Sequence, residues 1–256
     1  MSFETVPLWG LLLASIGLVL LALEVGRRVG QRRFGRGQPK LEVAGTLVGA
    51  TMGLLAFMMG FTFNNAATRN ENRKALVIEE VNAIDKTWLR AEFLADPHRA
   101  AIRALLREYV NLRVKAASPD LDIAQAVRQS EALHHKMWAV ATDAGRQNGN
   151  SITTGLFIQA LNEVFDVHLE RLTVAARNRV PPTIWATLYV LMALGMLMIG
   201  IQIGQTGVRQ FGIELALALT FSVVLYLIGD LDRPQEGLMS VSQQAMVELQ
   251  GRLNAR

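Results

Sequence analysis

Apolar residues in this chain gather into four long runs separated by polar sequence. The runs occupy residues 7–25 (PLWGLLLASIGLVLLALEV), 43–63 (VAGTLVGATMGLLAFMMGFTF), 183–204 (TIWATLYVLMALGMLMIGIQIG) and 212–228 (GIELALALTFSVVLYLI). A helix needs about 20 apolar residues to cross about 30 Å of hydrocarbon, so each run predicts a transmembrane helix. The fourth is the shortest and crosses with the least tilt.

The stretch between the second and third spans, residues 64–181, reads as helix throughout. From Asn64 to Leu94 it contains neither Pro nor Gly, so the second span is expected to continue unbroken into this region. Asp96-Pro97 ends that helix, with Pro97 expected at the first position of the next. There Ile102, Leu105, Leu106, Tyr109 and Val110 recur at helical spacing, with Arg99, Arg103 and Arg107 on another face. Ser118-Pro119-Asp120 reads as a turn and cap, followed by a helix over residues 121–143 and a loop at 145–150 (GRQNGN). Ser151 is expected to cap a further helix through Arg177, with Ile158, Leu161, Phe165, Leu169 and Leu172 on its inner face. Pro181-Pro182 then opens the third span. The expected fold is an all-α polytopic membrane protein with a helical extramembrane bundle inserted between helices two and three. Its segments are residues 1–63, 64–181, 182–229 and 230–256.

Charge supplies the orientation. Residues 26–40 after the first span carry Arg27, Arg28, Arg32, Arg33, Arg36 and Lys40 with no acid, and Arg209 lies between spans three and four. The positive-inside rule puts these loops in the cytoplasm. The N-terminus, the central region and the C-terminus then lie outside the cytoplasm. A basic cluster beside an apolar run points to lipid headgroups rather than nucleic acid. The N-terminal residues before the first run hold Glu4 and no Lys or Arg, unlike a cleavable signal peptide. The chain has no cysteine, which removes disulfides and thiolate chemistry.

Span two carries the most candidate chemistry. Gly45, Gly49 and Gly53 form a ladder at every fourth position, continued by Ala56 and Gly60. Such residues let helix backbones approach closely in lipid, either within the chain or between subunits. Phe57 and Phe61 lie one turn apart, and Asn64, Asn65 and Thr68 follow. Around a symmetric oligomer these would make an apolar constriction under a polar mouth. Alternatively, both Phe side chains face lipid or a neighbouring helix. Glu24 and Glu214 stand near span ends, where interfacial pairing is expected, for Glu24 with Arg27 and Arg28. Gln202, Gln205, Gly200 and Gly204 on span three suggest packing. His98, His134, His135 and His168 are scattered, and adjacent His134 and His135 do not share a helix face, so no metal site follows. Asp230, Asp232, Pro234 and Gly237 form an acidic turn after span four that is either a Ca²⁺ ligand set or a helix-breaking turn. An amphipathic tail follows, with Leu238, Val241, Ala245, Val247 and Leu249 apolar. No nucleophile elbow, P-loop, zincin or dinucleotide motif occurs, so an enzyme reading has no residues to rest on.

The stretches GLLAFMMGFTF (53–63), ENRKALVIEEVNAI (71–84), LRAEFL (89–94), RVPPTIWA (179–186) and DLDRPQEGLMSVSQQ (230–244) resemble the bacterial bestrophin-like family of membrane proteins. Within that pattern Glu80, Asn82, Ala83 and Ile84 fall at the core of the helix after span two. Gln235 stands where Phe is more usual. The resemblance implies a likeness to bestrophins, which are pentameric, Ca²⁺-linked anion channels with aromatic residues on span two. It implies that Phe57 and Phe61 lie near the pore neck and that the turn 230–237 echoes the Ca²⁺ clasp. Bestrophins keep the large domain in the cytosol, whereas the loop charges here place it outside. The leading reading is therefore a homo-oligomeric channel passing inorganic ions. The rival is a non-conducting sensor or scaffold whose helical domain binds a partner. A transporter fits less well, because no span is broken by Pro and no charge is central.

Overall fold

The computed structural model describes residues 7–34, 42–116, 122–177, 179–206, 211–233, 239 and 241–255. Several expectations lie outside these residues: Arg36 and Lys40 of the basic loop, Arg209, the Ser118–Pro119–Asp120 turn, and Pro234, Gln235, Gly237 and Leu238 of the acidic turn. The described residues form eight helices and no strand: α1 (Leu8–Phe34), α2 (Glu42–Ala91), α3 (His98–Lys115), α4 (Ile123–Gln147), α5 (Ile152–Arg177), α6 (Pro182–Thr206), α7 (Phe211–Asp232) and α8 (Gln244–Ala255). Four of them, α1, α2, α6 and α7, are long and apolar enough to cross a membrane. The chain divides into two compact units, Met1–Asn70 with Arg179–Ser240, and Glu71–Asn178 with Val241–Arg256.

In the first unit α1 packs along α6 and α7. Val19, Leu23, Leu188, Met192, Met196, Ala218, Leu225 and Ile228 make its apolar core with Leu55 and Met59 of α2. The α1–α6 seam depends on four glycines. A Cβ on Gly26 would sit 2.1 Å from the Leu197 carbonyl oxygen, and one on Gly30 would sit 2.3 Å from that of Ile201. Reciprocally, Gly200 faces the Leu23 carbonyl and Gly204 that of Arg27, each at 2.3 Å. Only hydrogen fits at such distances, so two paired small-xxx-small motifs bring the backbones together. Gly200 and Gly204 do the packing expected of them, while Gly26 and Gly30 are their unforeseen partners. Ser15 adds a polar tie, donating to the Leu11 carbonyl at 2.7 Å and lying 3.0 Å from the Tyr189 hydroxyl.

Several boundaries differ from expectation. α1 runs on to Phe34, so Arg27, Arg28 and Arg32 are helical rather than in a loop. The contact with α6 holds the glycines in register, and Glu24 pairs with Arg27 and Arg28, both at 2.7 Å. Pro97 is the N-cap of α3 rather than its first residue, and α2 stops at Ala91, three residues before Leu94. α4 takes its cap from Asp122, whose side chain accepts from Ala124 N, and it extends through Gly145 to Gln147. α7 continues to Asp232, so both acids assigned to a turn lie in its last turn. Pro182 opens α6, where its missing N–H has no helical partner to lose.

The second unit is a bundle of residues 71–91 of α2 with α3, α4, α5 and α8. Its core includes Ile84, Trp88, Ile102, Leu106, Tyr109, Met137, Phe157, Leu161, Met246 and Leu249. Trp88 is 1% exposed, and the guanidiniums of Arg103 and Arg107 each lie 4.8 Å from its ring centroid. Ser151 caps α5 as expected, accepting from Thr154 N at 3.2 Å. Leu169, placed on the inner face of α5 by its spacing, is instead 64% exposed; Phe157, Ala160 and Val164 fill the core. α8 buries Met246, Leu249 and Leu253 rather than Val247. It packs on α3, where Arg107 Nε donates to the Leu253 carbonyl at 2.9 Å and Gln250 to Asn111 at 2.8 Å.

Candidate functional site

The membrane part of α2 has three distinct faces. With about 100° per residue, Leu55, Met59, Thr62, Ala66 and Asn70 share one face, and all five are buried. Phe57, Phe61, Asn64 and Thr68 fall on the opposite face and all are exposed, Phe57 by 68% and Phe61 by 56%. Asn65 turns toward one flank and is half-buried. Gly45, Gly49, Gly53 and Gly60 occupy the other flank. Among the described residues, a Cβ on Gly49, Gly53 or Gly60 would meet nothing within 4 Å, and one on Gly45 only the Gln202 amide at 3.7 Å. Among the described residues, the Gln202 amide beside Gly45 is the ladder's one intrachain neighbour within 4 Å. Its close-packing counterpart is the α1–α6 seam.

Asp230 and Asp232 are buried at the end of α7. Asp230 Oδ2 accepts from Met239 N at 3.1 Å, and Asp232 Oδ1 accepts from Val180 N at 2.8 Å, just before α6. Ca²⁺ takes six to eight oxygen ligands. Among the described residues no three His, Asp or Glu side chains gather where they could hold a metal. Both carboxylates are engaged by backbone amides, and residues 234–238 of the acidic turn lie outside the described residues. The two contacts brace the chain at the start of α6 and after α7.

The second unit contains a polar cluster that sequence spacing did not reveal. Glu80 of α2 is wholly buried. Its carboxylate accepts from the Tyr109 hydroxyl at 2.5 Å and from Arg171, while Arg113 Nε lies 3.1 Å away, angled off a hydrogen bond. Tyr109 also lies 3.1 Å from His168 Nδ1. The His134 and His168 rings meet edge-to-face at 4.8 Å, and His134 lies over Phe165 at 4.4 Å. Burial, and next the Glu80 carboxylate, push the Tyr109 hydroxyl well above its usual range, so it keeps its proton. Burial first, then neighbouring positive charge, lowers His134 to about 3 and His168 to about 4. Two of the four scattered histidines thus meet in one core, brought together by α4 and α5. The signal was the register of Glu80, Tyr109, Arg113, His168 and Arg171 on the buried faces of their helices.

An all-helical chain with four membrane-length helices and a second helical unit defines the class: an integral membrane protein. Residues 12–246 match the Bestrophin-like domain family, and the chain belongs to that family. Its fold is similar to the crystal structure of a bacterial Bestrophin homologue from Klebsiella pneumoniae, with 19% identity over 96% of each chain and a TM-score of 0.64. A variant of that homologue matches at 17% identity and a TM-score of 0.66, covering 96% of this chain and 97% of its own. At these identities the likeness is one of fold. No curated protein matches the chain.

Proposed function

We propose that the protein is an oligomeric membrane channel for inorganic ions, conducting anions, with α2 lining the pore. The observation that carries this is the division of α2 into three faces. One face is buried on its own chain, a glycine flank has nothing within 4 Å at Gly49, Gly53 and Gly60 among the described residues, and the Phe57/Phe61/Asn64/Thr68 face is exposed opposite the buried one. In a ring, the glycine flank takes a neighbouring subunit and the opposite face turns to the axis. There the two Phe side chains make a dewetting constriction and the Asn amides offer donors to an anion. Family membership favours the same assembly, and the likeness to bestrophins supports a ring of five.

α2 has 50 residues, a length of about 75 Å, more than twice the hydrocarbon thickness of about 30 Å. We therefore assign residues 43–63 to the bilayer and the bundle of 64–181 to water, inserted between spans two and three. The basic residues from Arg27 to Lys40, at the end of α1 and beyond it, support a bundle and both termini outside the cytoplasm, in a bacterial inner membrane. A topology reporter fused near Arg33 should read cytoplasmic; a periplasmic signal would reverse the assignment.

Purified protein in liposomes should pass chloride, and Phe57→Ala with Phe61→Ala should raise the flux by widening the constriction. Flux no higher than in empty vesicles across pH and Ca²⁺ concentration would refute the channel. A second reading, a membrane scaffold, draws on apolar side chains exposed on the second unit: Ile152 at 81%, Phe93 at 64% and Leu169 at 64%. Cross-linking of the full chain in membranes separates the two: a closed ring supports the channel, and a monomer or dimer supports the scaffold.

A further inference from the structure

The polar cluster of the second unit fixes its own protons. The Tyr109 hydroxyl donates to Glu80, so its oxygen is left to accept from His168 Nδ1. His168 is therefore the tautomer protonated at Nδ1, and its basic nitrogen is Nε2. Among the described residues that atom is buried without a hydrogen-bond partner, as is His134 Nε2. The His168 side chain is only 4% exposed. The groups facing the two imidazoles are Glu80 from α2, Tyr109 and Arg113 from α3, His135 beside His134 on α4, and Arg171 from α5. Two guanidiniums stand against one carboxylate. A proton on His168 Nε2 would make an N–H with no acceptor beside a surplus positive charge, and a second on His134 would stand one ring away.

We propose that the buried His134–His168 pair is an acid-operated release, in which protonation of the imidazoles frees α4 and α5 from α2 and α3. In the open form the imidazoles titrate near the ordinary value of about 6.5, whereas in the packed form they sit at about 3 and about 4. Below pH 6.5 the open form binds more protons, so acid favours opening. Packing is fully retained above that pH and is progressively lost as the pH falls toward the packed-state values. For His168 alone the open-to-packed ratio rises on the order of 100-fold between pH 7 and pH 4. The release does not depend on the channel reading, so its test reads structure rather than flux.

Hydrogen exchange of the full chain, corrected for the intrinsic pH dependence of exchange, provides that test. Amides of α4 and α5 should lose protection on the order of 100-fold at pH 4, while those of α1 and α6 keep theirs. A His134→Gln/His168→Gln double variant should not show the loss. Parallel loss in α1 and α6, or the same loss in the double variant, overturns the proposal. Should the double variant fail to fold, nitrogen-15 imidazole spectra of the unaltered protein decide: His168 must carry its proton on Nδ1 at pH 7, and a proton on Nε2 overturns the proposal.

Discussion

Replacing Gly26 by Ala tests the seam between α1 and α6. The new Cβ would start 2.1 Å from the Leu197 carbonyl oxygen and 3.0 Å from Ile201 N, both backbone atoms inside a helix. Neither can rotate away. Reaching an ordinary contact distance requires the helices to part by about 1 Å, and a gap of that size forfeits a quarter to a half of each facing dispersion contact. The neighbours that lose contact include the buried Leu23, Met192 and Met196. Overpacking of this kind costs about 1–3 kcal/mol. Gly→Ala also raises helix propensity, a gain of about 1 kcal/mol in water, so Gly17→Ala is the control: nothing lies within 4 Å of its Cβ. In detergent, the apparent melting temperature of Gly26→Ala should fall below that of Gly17→Ala by several degrees, at about 2–4 °C per kcal/mol for a chain of this size. Gly200→Ala should behave like Gly26→Ala, since it meets the Leu23 carbonyl from the other side. Equal melting of all three variants would refute the close approach.

Trp88→Ala removes a side chain that is 1% exposed and lies against two guanidiniums; the loss should be about 3–5 kcal/mol, visible as reduced exchange protection across α3. Asp232→Ala leaves Val180 N without its acceptor and should cost about 1–3 kcal/mol, while Asp232→Asn, which keeps an acceptor oxygen, should recover most of it in the same thermal assay. Gly49→Leu should leave the single chain folded, because no described residue of its own chain lies within 4 Å of a Cβ there, yet reduce the cross-linked ring to smaller species; an unchanged ring would place the subunit interface elsewhere.

The four membrane helices were legible in the sequence because an apolar run of span length is too long for a buried strand and has no polar face to turn to water. The unbroken course of α2 was legible from the absence of Pro and Gly between Asn64 and Leu94. Helix ends were less so: α1 and α7 continue past their apolar stretches because Gly26 and Gly30 are held against α6, and because Asp230 and Asp232 find backbone amide donors. Those are tertiary facts that no local window contains. The glycine ladder of α2 was easy to see, but whether it packs inside the chain or is free depends on the neighbours, and the real intrachain seam used a less conspicuous pair. Leu169 misled because helical spacing fixes a stripe but not which stripe turns inward. His134 and His168 meet only through the pairing of α4 with α5, so their nearness was invisible while each lay alone in the sequence.

The seam between α1 and α6 also dictates an order of assembly. About 170 residues separate Gly30 from Gly200, and at 5–20 residues per second a ribosome needs about 10–30 s to make them. Throughout that interval α1 has left the ribosome without its partner. Its glycines then face lipid or the insertion machinery, and α2 has already emerged. The first unit therefore cannot close co-translationally in chain order: it waits for α6, and the second unit waits longer still for α8. A nascent chain arrested before α6 should expose both glycine strips to cross-linkers, and the cell must shelter that half-built intermediate from pairing with another copy's α1.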